Sequence, residues 1–62
     1  MSAYQEQKLR AALVEARVYV MGTYEESARL LRLDDSMAPT VRKAKEVLDM
    51  IDSALEMTAV PN

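Results

Sequence analysis

The chain carries Ala11-Ala12-Leu13-Val14-Glu15-Ala16-Arg17-Val18-Tyr19-Val20-Met21 in its first half. Only Glu15 and Arg17 are charged in it. Alanine, leucine and methionine at this density favour a helix. A surface helix of a small monomer carries one apolar stripe and one polar face. This segment is apolar nearly all round, so as a helix it needs cover on more than one side. In a chain of 62 residues little else exists to cover it. The segment therefore predicts a helical protein that associates with itself or with a partner.

Working outward, Leu9, Leu13, Ala16 and Val20 recur at three- and four-residue spacing and define a helical core stripe. Ala12 and Tyr19 widen it, with Tyr19 expected at the edge of the core. Ala11, Val14, Val18 and Met21 form a second stripe beside it. Upstream, Ser2 is a helix cap with Gln5 three residues later, the pattern of a capping box. Downstream, Gly22 is the only glycine. It precedes Thr23-Tyr24-Glu25-Glu26, which again fits a capping box with Thr23 as cap and Glu26 at the third position. One long helix from Ala3 to about Leu33 is one reading. The coincidence of glycine and box favours the other, a break or kink at Gly22.

Asp34-Asp35-Ser36-Met37-Ala38-Pro39 is the strongest punctuation, since proline suits the first turn of a new helix. The last helix is predicted over 39–57. Its seam is Val41, Ala44, Leu48, Ile51 and Leu55, a heptad-like pattern that Val47 and Ala54 broaden. The expected fold is thus all-α: an antiparallel helical hairpin of two long helices, or three with a break at Gly22, forming an oligomer. It is a single helical domain over 1–62 with a frayed tail over 58–62. Leu9, Leu13, Ala16, Val20, Leu48, Ile51 and Leu55 form the centre of the core or interface. Ala12, Ala16 and Ala44 permit close helix approach.

Composition bounds the chemistry. Cysteine and histidine are absent, so disulfides, thiolate zinc sites and imidazole catalysis are excluded. Domains this small bury only about 60% of their unfolded surface and usually need a staple. With disulfides and such metal sites excluded, oligomerisation is the staple left. A formal net charge of −2 gives no general attraction to nucleic acid or anionic membrane. No run approaches the ~20 apolar residues of a membrane span. Residues 1–6 lack the features of a signal peptide, and the expected location is cytoplasmic.

Arg42, Lys43 and Lys45 open the last helix while Asp49, Asp52 and Glu56 close it, against the helix dipole. Local pairs of Arg42 with Glu46 and Lys45 with Asp49 offset part of this. An antiparallel neighbour of the same sequence would also do so, which suits a two-fold dimer.

Three family likenesses touch parts of the chain. Glu46-Val47-Leu48-Asp49 resembles the second E-x-x-D element of MazG-type nucleotide pyrophosphohydrolases, which implies carboxylate-bound magnesium. Arg29 stands where their first element requires an acid. In length and hairpin architecture the chain resembles Rop-like RNA-binding dimers, and Lys8, Arg10, Arg17, Arg29 and Arg32 are the bases such binding would use. Gly22 to Ser27 with Leu31 and Pro39 is similar to the second helix of a tetratricopeptide unit, which implies a helix-turn-helix hairpin. Asp34 stands where that family has a small apolar residue.

No catalytic, cofactor-binding or metal-ligating set emerges, so none is assigned. The leading reading is a non-enzymatic interaction module (an adaptor, chaperone or inhibitor) that binds itself and another protein through helical surfaces. Membrane is not a partner in this reading, and nucleic acid is not favoured. Tyr4, Tyr24, Met50, Arg29 and Arg32 are its candidate partner contacts. The alternative is a helical oligomer holding a small anionic ligand such as a nucleotide, with Arg29, Arg32, Arg42 and Lys43 flanking the turn.

A Val20→Asp substitution tests the stripe. An unpaired carboxylate at a buried position is costly, so the variant should dissociate or unfold. Unchanged mass and melting temperature would remove Val20 from the core.

Overall fold

A computed structural model describes residues 2–58 and contains two α-helices: α1, Ala3–Leu31, and α2, Ala38–Met57. A short 3-10 turn, Asp35–Met37, joins them. The tail expected to fray falls largely on residues 59–62, outside the described residues. Thr58 itself is bound at the end of α2: its N–H donates to the Ala54 carbonyl at 3.1 Å, and its hydroxyl to the Leu55 carbonyl at 3.2 Å.

The capping box at the start of α1 forms in both directions. The Gln5 N–H donates to Ser2 Oγ at 3.2 Å and the Ser2 N–H to Gln5 Oε1 at 3.0 Å. The second expected box does not form, and α1 runs unbroken through Gly22. Thr23 does not cap; its hydroxyl donates back to the Tyr19 carbonyl at 3.3 Å, the bond of a mid-helix threonine. The tertiary seam, which passes Gly22 on Val20 and Tyr24, outweighs the cost of one glycine, about 1 kcal/mol.

The turn is built by Asp34 rather than by glycine. Asp34 Oδ1 accepts from the Ser36 hydroxyl at 2.7 Å and the Ser36 N–H at 3.0 Å. The Met37 N–H donates to the Asp34 carbonyl at 3.1 Å, and Pro39 then lies in the first turn of α2. Among the described residues no residue has a positive φ. The tetratricopeptide likeness placed Pro39 at the close of a unit, whereas here it opens the second helix.

Side-chain bonds from Arg10 and Arg17 in α1 reach Leu55 and Asp52 in α2, so the helices run antiparallel. Buried positions are few. In α2 they are Ala44, Leu48 and Ile51; in α1 the only one is Ser27, which is 4% exposed. Ser27 donates its hydroxyl to the Thr23 carbonyl at 2.8 Å and is thereby satisfied. Ser27 and Ala44 are both small, so their burial reflects close approach of the two helices near the turn.

The face that α1 turns to α2 is rotated from the expected stripe. Leu13, Arg17, Val20, Tyr24 and Leu31 are partly buried and line up with Ser27 at alternating four- and three-residue steps. Leu9 (41% exposed) and Ala16, expected at the core centre, lie outside the seam on its uncharged side. The reason is reach: the stems of Arg17 and Tyr24 cover apolar surface while their polar ends meet water or a partner. The methyl of Ala16 cannot. Tyr19, expected at the edge of the core, is 78% exposed.

Two outcomes test these assignments. A Cβ at Gly22 would meet nothing within 4 Å, so Gly22→Ala should raise stability by about 1 kcal/mol in urea unfolding. The Asp34 carboxyl is held below its ordinary value of 3.8 by the Ser36 hydroxyl and then the Ser36 N–H. Folding thus favours its ionised form, and the stabilisation is complete above that ordinary value. It is lost as pH falls through the lowered one. The difference in melting temperature between wild type and Asp34→Ala should be present above pH 3.8 and shrink below it.

Candidate functional site

Helical geometry divides the hairpin into two flanks. At about 100° per residue, Arg10 and Arg17 lie to one side of the α1 seam, and Asp52 lies to the same side of α2. Arg17 Nε binds Asp52 Oδ1 at 2.7 Å, and Arg10 Nη1 donates to the Leu55 carbonyl at 3.0 Å. On this flank α2 presents Lys45, Asp49, Asp52 and Glu56, with Arg42 beyond them. Lys45 and Asp49 pair at 3.8 Å. It is a charged flank.

The opposite flank has almost no charge. From α1 it carries Gln5, Leu9, Ala12, Ala16, Thr23 and Leu30, with Tyr19 at its outer margin; from α2 it carries Thr40, Val47 and Ala54, with Lys43 and Met50 at the margin. Leu9, Tyr19, Leu30 and Met50 are exposed. Val47 and Ala54, read as broadening the α2 seam, are half-buried at its edge. A third apolar strip, Ala11, Val14 and Val18, runs along the side of α1 turned away from α2, and Val18 is 70% exposed.

The amount of surface is itself informative. The accessible area is 5075 Å². A compact protein of 7.0 kDa exposes about 4,000 Å². The radius of gyration is 14.5 Å, against roughly 10.6 Å for a compact chain of this length. No large side chain among the described residues is fully buried.

The remaining sequence candidates are placed as follows. Leu48 and Ile51 are buried, and Leu13, Val20 and Leu55 are half-buried. Tyr4 is exposed, with the Lys8 ammonium 5.6 Å from its ring centroid. Tyr24, Arg29 and Arg32 come together with Glu25 and Ala28 around a shallow, open groove on α1. Arg42 and Lys43 do not line that groove, so the four cations expected around the turn are not gathered, and the Glu25 carboxylate sits among those that are. The bases considered for RNA do not share a face either: Arg10 and Arg17 are engaged in closing the hairpin.

Lys43, not Arg42, pairs with Glu46, at 3.9 Å. Both carboxylates of the E-x-x-D element therefore sit beside lysines. Among the described residues no three acidic side chains converge as a metal site would require. No helix among them is long and apolar enough to cross a membrane.

Sequence reasoning missed Ser27, Arg17 and Tyr24 as seam residues. The available signal was the seven-residue repeat of Leu13, Val20 and Ser27, extended to Leu31. Hydropathy concealed it. The chain matches no protein-family model, and it matches no curated protein and no solved structure.

Proposed function

We propose that this chain is a small non-enzymatic interaction module that binds itself and another protein through its helical surfaces. The observation that supports this is the excess of exposed apolar helix: Leu9, Leu30, Val14, Val18 and Met50 all stand in solvent, against three buried apolar residues among the described residues. They form two exposed apolar strips, one on the uncharged flank and one along the back of α1, and exposed apolar patches mark interaction sites in soluble proteins. An adaptor, chaperone or inhibitor role fits, because each acts by occupying a partner's surface rather than by chemistry. A cytoplasmic location belongs to the same proposal and rests on composition alone.

The strip along the back of α1 is the surface we assign to another protein. Its residues face away from α2 and present side chains at helical spacing, as a helix docking into a groove does.

A second reading is favoured by one observation, the groove holding Tyr24, Arg29 and Arg32. It would seat a small anion such as a nucleotide, with two guanidiniums as ligands. Glu25 opposes it.

Cross-linked affinity capture from the native cell extract tests the leading reading. Wild type should enrich a defined protein that Val18→Lys loses, and identical recovery from both would remove the assignment of this strip. Thermal shift against nucleotides separates the second reading: a ligand at a hundred times its Kd stabilises by about 2.7 kcal/mol. Our reading predicts no shift.

A further inference from the structure

We propose that the uncharged flank is covered by a second copy of this chain, face to face about a two-fold axis, giving an antiparallel four-helix bundle. This deepens the interaction reading above and rests on it. It names the partner of one particular face.

Three observations select a copy of the chain itself. The first is area. The hairpin measures 46 × 17 × 15 Å, so one broad face presents roughly 780 Å². A stable interface of standard size takes about 800 Å² from each partner. Covering this face also hides an area close to the roughly 1,000 Å² by which the chain exceeds a compact monomer.

The second is charge. In a two-fold interface the same patch meets itself, so charged residues near the axis meet their own sign. The flank avoids this: it is uncharged across α1, and Lys43 lies at the outer margin of α2. Lys45, Asp49 and Asp52 lie on the other flank in ion pairs within the chain.

The third is the order of side-chain sizes along α1. Leu9 and Leu30 are the large aliphatic side chains of the flank on α1, with Ala16 and Thr23 between them. Both pairs are centred between Tyr19 and Val20. A two-fold axis at that level sets Leu9 of one copy beside Leu30 of the other. It also sets Ala16 beside Thr23. Large apolar side chains then stand to either side, and small ones let the backbones approach in the middle. A pattern that reads alike in both directions is what an isologous contact of antiparallel helices requires.

Sedimentation equilibrium from micromolar to millimolar concentration provides the test. Wild type should reach twice the 7.0 kDa chain mass. Ala16→Glu should return it to the single-chain value, and Val14→Glu, on another face of α1, should leave the doubled mass unchanged. Both positions are exposed in the hairpin, so neither substitution buries a charge within one chain.

Because Ala16→Glu removes cover that folding itself could need, a second measurement uses the absence of native cysteine. Oxidation of the doubly substituted Ala16→Cys, Thr23→Cys chain should give a covalent dimer. The Val14→Cys, Met21→Cys chain should not. The two cysteines of one chain, seven residues apart on one helix, lie too far apart to join each other.

A wild-type mass of 7.0 kDa throughout overturns the proposal. So does a dimer that survives Ala16→Glu, or one that Val14→Glu dissociates. A single-chain mass together with successful capture of another protein overturns only this inference and keeps the interaction reading. A dimer that captures nothing does the reverse.

Discussion

The seam between α1 and α2 is the constraint from which the rest follows. Ala44, Leu48 and Ile51 are the apolar residues it buries, and from α1 it buries Ser27. Burying an apolar side chain of the Leu or Ile class contributes about 1.5–3 kcal/mol, and ordering each residue's backbone costs 1–2 kcal/mol. Two helices of this length joined by so narrow a seam cannot offset that cost by much. So narrow a seam leaves much of the apolar surface of both helices in contact with water.

Electrostatics is settled inside the chain. The order of charges in α2, bases first and acids last, opposes its dipole. From the sequence this reads as a solvated face with local ion pairs, or as a face set against an antiparallel neighbour of the same kind. The neighbour that supplies the compensation is α1. Arg10 reaches the Leu55 carbonyl near the C-terminal end of α2, and Arg17 binds Asp52 one turn earlier. The cations that α2 lacks in its last turn come from the first half of α1. Such exposed pairs contribute little energy. They accompany the rotation of α1 that the seam sets.

That rotation produces the two-faced molecule. With Arg17 and Tyr24 drawn toward the seam, Leu9, Ala16 and Leu30 are left on the outside. Most charges of α2 lie on one flank, and Thr40, Val47 and Ala54 lie on the other, with Lys43 at its margin. One flank therefore faces water at little cost while the other is disfavoured there. The bases of α1 are divided between faces, and the two acids of the E-x-x-D element stand beside lysines.

The sequence by itself determined the helical class, the capping box at Ser2, the position of the turn and the seam of α2. Each of these is local or periodic. A cap needs its partner three residues away, and an aliphatic seam repeats within one helix. It did not determine the course of α1 through Gly22, because propensity assigns glycine a cost without saying what outweighs it. Nor did it determine which face of α1 is inside. Leu13 and Val20 fit either of two adjacent stripes, and hydropathy prefers the one with Leu9 and Ala16. The tertiary structure turns the other inward, with Arg17 bound to Asp52 and Arg10 to the Leu55 carbonyl across the seam. Those partners are 35 and 45 residues away along the chain, a separation at which no local rule acts.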